Sequence, residues 1–151
     1  MRTGADDENG GLQIGHAHPS RSIDEAALAA LVRRTVEGEG FAIRSLGVVL
    51  ADHATVHRLN REFLAHDYVT DVLSFSLDED AAAGGFVDGE VYVDLDTAAE
   101  RAPEFDTTFE EEARRYVVHG LLHLMGYDDA TDADRAAMRR LEDRYLSIDD
   151  R

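Results

Sequence analysis

Two histidines and a carboxylate stand out among the 151 residues for the chemistry their spacing permits. His119 and His123 lie four apart in the run His119-Gly120-Leu121-Leu122-His123-Leu124-Met125-Gly126-Tyr127-Asp128-Asp129. On a helix this spacing puts both imidazoles on one face, about 5–6 Å apart at Cβ, so both rings can converge on one cation. Gly126 then lets the chain leave the helix through a left-handed residue. The chain turns back, and Asp129 can reach the same point. Two imidazoles and one carboxylate leave an open coordination position, the composition of a catalytic rather than a structural zinc site.

The spacing follows the metzincin peptidase ligand pattern in outline, with Asp as third ligand. One position breaks the match. Those peptidases carry Glu directly after the first His as general base, and here that position is Gly120, which can remove no proton. A peptidase of that mechanism is disfavoured, and no side chain fills the role of general base. His53 and His57 repeat the four-residue spacing, but no acid or third His follows at ligand spacing. They read as surface residues of a short helix. Arg139, Arg140 and Arg144, with Glu142, Asp143 and Asp134 around them, read as a salt-bridged exposed face.

The elements that position these residues follow from periodicity. Residues 1–22 read as a mobile tail with a possible short edge strand at Leu12-Gln13-Ile14, and His16 and His18 fall in it. The single domain is expected over 23–151. Ala27, Leu28, Leu31, Val32 and Val36 form a helical stripe from Ile23 to Glu39, with Ser22 and Glu25 as a capping box. Phe41 to Ala51 is β-branched enough for a strand, with Gly47 as a candidate bulge. Asp52 caps a short helix from His53 to Leu64. Thr70 to Leu77 and Gly89 to Leu95 read as strands paired antiparallel across an acidic, Gly-rich loop. Asp96 opens a helical stretch that Pro103 stops. Thr108 and Glu111 make a capping box for a helix from Phe109 to Met125, and Thr131 or Asp132 caps the last helix, through about Leu146. The fold class is α+β: a small mixed four-stranded sheet packed with helices, the candidate metal site on one helix and the turn after it.

Composition narrows the function. The chain has no cysteine, so disulfides, thiolate zinc sites and cysteine nucleophiles are excluded, and any metal must sit on His, Asp or Glu. No apolar run approaches the ~20 residues of a membrane helix. The polar, acidic N-terminus does not read as a signal peptide, so a cytoplasmic location is expected. Fifteen basic residues, every one Arg, stand against 32 acidic ones, a formal charge of −17. Such a field repels nucleic acid in dilute buffer. It suits a salt-rich cytoplasm, where screening shortens the reach of surface charge to a few ångströms.

Residues 119–129 resemble the H-G-x-L-H-L-x-G-Y-D-H signature of the YbeY family of rRNA maturation factors and single-strand endoribonucleases. Leu59-Asn60 with Phe63, then Asp67 and Thr70-Asp71-Val72-Leu73-Ser74-Phe75, resembles that family's L-N-x-x-[YF]…D-x-x-T-[DN]-V-L-S-F block. Gly89-Glu90-Val91-Tyr92-Val93 is similar to its G-[DE]-I-x-[IV] strand, and Met138 and Glu142 fall on its M-x-x-x-E. The resemblance implies a zinc-dependent endoribonuclease acting in 16S rRNA 3′-end maturation and ribosome quality control. It also implies rRNA and the small ribosomal subunit as partners, with no dinucleotide cofactor. Its register selects Asp129 over Asp128 as third ligand, where the family usually has His. It places His66 and Asp67 in a loop facing the metal cleft, as candidate substrate contacts. Leu64 and His66 stand where the family usually has basic residues, which weakens phosphate contact in that loop. Two rivals stay open: a zinc hydrolase of peptides or small molecules, and a non-catalytic ribosome-assembly factor with structural zinc.

Overall fold

The β-branched run after Gly40 forms the longest strand. β2 (Ala42–Ala51) turns Leu46, Val48 and Leu50 to one face of the sheet and Val49 and Ala51 to the other. The computed structural model describes residues 10–63 and 71–149. Within them β1 (Leu12–Ala17) pairs with β2 in parallel, and β2 pairs with β4 (Phe86–Asp94) in parallel. β3 (Val72–Ser76) pairs with β4 antiparallel, as the acidic loop between them implies. The order is β1-β2-β4-β3, a mixed four-stranded sheet in an α+β domain.

Parallel pairs need crossovers. α1 (Glu25–Gly38) connects β1 to β2, and α2 (His53–Phe63) leads from β2 into β3. α3 (Leu95–Arg101), α4 (Phe109–Leu124) and α5 (Asp132–Asp149) follow β4. The main core lies between one sheet face and α1, α4 and α5, around Leu28, Leu31, Val48, Val91, Leu121, Leu122 and Met138. A smaller cluster of Ala51, Val56 and Leu73 packs beneath α2 on the other face. No helix among the described residues is long and apolar enough to cross a membrane.

Helix ends follow local hydrogen bonding. The Thr108–Glu111 box is complete: Thr108 Oγ1 accepts from the Glu111 N–H and Glu111 Oε1 from the Thr108 N–H, both at 3.1 Å. These bonds hold the Glu111 carboxyl below its usual value. Thr131 Oγ1 caps α5 by accepting from the Asp134 N–H. Two caps differ from expectation. Asp24, not Ser22, caps α1 by accepting from the Ala27 N–H, and Asp94, two residues before the expected Asp96, caps α3 by accepting from the Thr97 N–H. In both, a carboxylate directly before the first helical residue meets the positive end of the helix dipole. The β2–β4 register shifts between Ile43 and Ser45 rather than at Gly47. The extra residue, Arg44, carries its guanidinium to Asp78 and Asp88. The His18 side chain is nearly fully buried, its Nε2 2.8 Å from Asp96 Oδ1, so it belongs to the packed structure rather than to a free tail.

Gly120 sets how closely α4 approaches the sheet. A Cβ there would lie 2.6 Å from Val91 Cγ1 and 3.1 Å from both Ser74 Oγ and Val72 Cγ2. The Ser74 hydroxyl donates to the Gly120 carbonyl at 2.9 Å. Gly120→Ala should destabilise by about 1–3 kcal/mol, although Ala is the better helix former. A urea midpoint equal to the parent's would show that the strands yield instead. The same crowding means that a glutamate at this position would be driven into β3 and β4.

Candidate metal centre

His119 and His123 lie on the last turns of α4, and Asp129 lies in the connection to α5. The two Nε2 atoms are 3.1 Å apart, and each is 3.3 Å from Asp129 Oδ2. The structure thus brings together all three residues that the spacing singled out. Asp128 does not join them; its Oδ1 accepts from the Asp129 N–H at 2.8 Å.

What surrounds the rings fixes what their inner nitrogens can do. His119 Nδ1 lies 2.8 Å from Glu142 Oε2, and His123 Nδ1 lies 3.1 Å from the Tyr127 carbonyl. An ionised carboxylate and a carbonyl can only accept, so both Nδ1 atoms carry the proton and both Nε2 atoms present lone pairs. Three acceptors then face one another with no donor between them. That arrangement repels itself unless a cation or proton sits at its centre. Ligands about 2.0–2.1 Å from a tetrahedral zinc ion stand about 3.3 Å apart, and the three edges here match. The residues fit a divalent ion, with one side of the triangle facing a cleft.

The support behind the rings is built in detail. Glu142, 5% exposed, also accepts from Arg115 Nη1 at 2.9 Å, while Arg115 Nη2 donates to Asp143. Burial lowers the His119 pKa, but the hydrogen bond and charge of Glu142 outweigh it and raise the net value. The ligand turn is held at both ends. Gly126 adopts φ 100°, and the Tyr127 N–H returns to the Leu122 carbonyl, closing α4. The Tyr127 hydroxyl donates to Glu39, which also accepts from Tyr145. Tyr127 therefore orients His123 through its backbone and anchors the turn through its side chain. Arg135 donates to the carbonyls of Asp129 and Ala130 from the far side.

Beside the triangle lies a cleft of about 310 Å³, lined among others by Asp71, Arg101, Tyr116, His119, Asp129 and Arg139. Burial raises the Asp71 carboxyl above its usual value, against the pull of His119 and Arg101. Arg101 Nη1 stands 3.7 Å from Asp71 Oδ2. The Tyr116 hydroxyl is buried beside Glu112, too poorly placed for a hydrogen bond to it and with no other partner among the described residues. Burial and the neighbouring Glu112 keep it protonated far above the ordinary phenol range.

Sequence reasoning missed Glu142 as the partner of His119 and Asp71 as a cleft carboxyl; for Tyr127 it left open packing against the turn or orienting a ligand, and the structure shows both, the second through the backbone carbonyl. The M-x-x-x-E spacing on the last helix was the available signal for Glu142. The salt-bridged face expected around Arg139, Arg140 and Arg144 does not form. Arg115 of α4 takes Glu142 and Asp143, Arg144 lies over the Tyr145 ring, and Arg139 and Arg140 make no ion pair among the described residues. His53 is half exposed with its Nδ1 on the buried Asp94. His66 and Asp67, the candidate substrate contacts, lie outside the described residues, as does Leu64.

The fold and the triangle define a class: small α+β proteins with a two-histidine, one-carboxylate candidate metal site at a helix end. The family model for Endoribonuclease YbeY matches residues 13–148, and the chain belongs to that family. An Endoribonuclease YbeY from Salinibacter ruber is 57% identical over 141 residues, covering 90% of each chain. One from Chlorobaculum tepidum is 45% identical over 126 residues, covering 83% of this chain and 89% of its own. The solution structure of a Thermotoga maritima protein superposes with a TM-score of 0.61 at 30% identity, covering 91% of this chain and 88% of its own.

Proposed function

We propose that this chain is a zinc-dependent endoribonuclease that cuts single-stranded RNA in rRNA processing. Its proposed target is the 3′ end of 16S rRNA on the small ribosomal subunit, in maturation and ribosome quality control. The observation that carries the reading is the triangle of two lone-pair nitrogens and one carboxylate oxygen in a chain of this family.

His119, His123 and Asp129 would hold the ion. A bound zinc ion supplies Lewis acidity toward water and toward a phosphoryl oxygen. The remaining work falls to the chain. Glu142 and the Tyr127 carbonyl keep both imidazoles in the ligating tautomer. Arg135 keeps the Asp129 turn in place. Asp71, with its raised pKa, can hold or release a proton at its carboxyl within the cleft.

The acidic surface does not extend evenly into this cleft. Four arginines (Arg101, Arg115, Arg135, Arg139) and four carboxylates (Asp71, Glu112, Asp129, Glu142) are among its described lining residues. The lining is balanced where the whole chain carries 15 basic against 32 acidic groups. A divalent cation would tip it positive, giving a polyanion one local place to dock.

The test is cleavage of single- and double-stranded RNA in molar KCl, where the repulsion from the surface is screened. Single-stranded RNA alone should be cut, a chelator should stop the reaction, and zinc should restore it. A folded His123→Ala variant should be inactive. Cleavage that survives both the chelator and the substitution would overturn the reading. Hydrolysis of peptides in place of RNA would favour the small-molecule hydrolase.

A further inference from the structure

We propose that Arg139 is a substrate-binding residue that grips an RNA phosphate next to the one being cut. The proposal rests on the endoribonuclease reading and deepens it.

Three observations converge on this side chain. Arg139 is exposed, on α5, and lines the same cleft as His119 and Asp129. It makes no ion pair and no hydrogen bond among the described residues. Its lack of a partner has a cause: Glu142 and Asp143, three and four positions further along the same helix, are both engaged by Arg115 from α4. Residues at those spacings are the natural partners of a helical arginine. Here they are pulled toward α4.

The other arginines of the cleft are committed. Arg115 is tied to Glu142 and Asp143, and Arg135 to Asp132 and the ligand turn. Arg101 faces Asp71. Only Arg139 among these four brings an unspent guanidinium to the cleft. In a chain of charge −17, an arginine beside a candidate metal site with no carboxylate bound to it among the described residues keeps all five donors to offer. The guanidinium fork matches the oxygens of a phosphodiester. One phosphate gripped at a fixed distance from the triangle would set which linkage enters it.

The experiment measures binding by fluorescence anisotropy, using the full chain and a labelled single-stranded RNA with 2′-O-methyl groups on every sugar, across a salt titration. Arg139→Gln should bind about tenfold more weakly at the low-salt end. Its slope of log affinity against log salt should be shallower by about 0.7, one phosphate contact. Arg139→Lys should keep the slope and lose part of the affinity, because the charge stays while the fork goes. Arg140→Gln, one residue along and not lining the cleft, should match the parent. In cleavage assays Arg139→Gln should raise KM more than it lowers kcat. Urea midpoints equal to the parent's exclude unfolding as the cause; if Arg139→Gln unfolds, Arg139→Lys decides by its slope. Equal affinity and slope for Arg139→Gln and Arg140→Gln would overturn the proposal. A parent chain that binds and cuts RNA would confine that failure to Arg139, whereas a parent that does neither would take the endoribonuclease reading with it.

Discussion

Asp129→Ala should abolish tight binding of a divalent ion, while Asp128→Ala should leave it nearly intact. The two residues are adjacent, and both are carboxylates in the same exposed connection. Their geometry separates them. Asp129 Oδ2 stands 3.3 Å from both histidine Nε2 atoms, whereas Asp128 is spent on the backbone N–H of its neighbour. If a structural zinc contributes about 10–16 kcal/mol over four ligands, one ligand is worth about 3 kcal/mol, on the order of a hundredfold to a thousandfold in affinity. Removing the carboxylate also leaves a purely imidazole pair, with no negative charge to offset the ion. Competition against a chromophoric chelator measures the difference. If Asp128→Ala lost the ion and Asp129→Ala kept it, the ligand assignment would move by one residue.

Glu142→Gln should weaken metal binding by about 10–100-fold although Glu142 touches no ion. The carboxylate serves two donors, Arg115 Nη1 and His119 Nδ1. A glutamine has one oxygen and one amide nitrogen. Arg115 can only donate, so it claims the oxygen, and the amide N–H₂ is turned to His119. That donor demands a lone pair on Nδ1 and moves the ring proton to Nε2, where it points into the triangle. The variant thus holds the wrong tautomer without losing volume. Proton competition changes as well. Glu142 contributes most, ahead of Asp71 and Asp129, to lifting His119 above the ordinary imidazole value against the effect of burial. Parent metal uptake should therefore fade as pH drops through that raised value, and in Glu142→Gln the proton competition should move to lower pH. Metal titrations of both proteins at several pH values test this. Equal affinities throughout would show that His119 needs no carboxylate behind it.

The ligand triangle was legible because its parts are close in sequence. A four-residue step on a helix, a glycine exit and an acid three residues later leave little conformational freedom. The Thr108 box and the β3–β4 hairpin were legible for the same reason. What was not legible depends on distant partners. Nothing local to Leu12 or Ala42 says that β4 rather than β3 lies beside β2, because that pairing is decided by which faces the helices cover. His18 reads as a tail residue until Asp96, 78 positions away, is brought to it. The arginines of α5 read as paired because their sequence neighbours are acidic, and only the packing of Arg115 shows those acids to be occupied. The bulge fell at Arg44 rather than Gly47 because two carboxylates outside the strand, Asp78 and Asp88, give the extra residue somewhere to point.

The three candidate ligands occupy one short stretch, 119–129, whereas the arginines around them come from three separate helices. The candidate metal residues are therefore set by local chain geometry, while the charges that line the cleft depend on how distant parts of the chain are brought together.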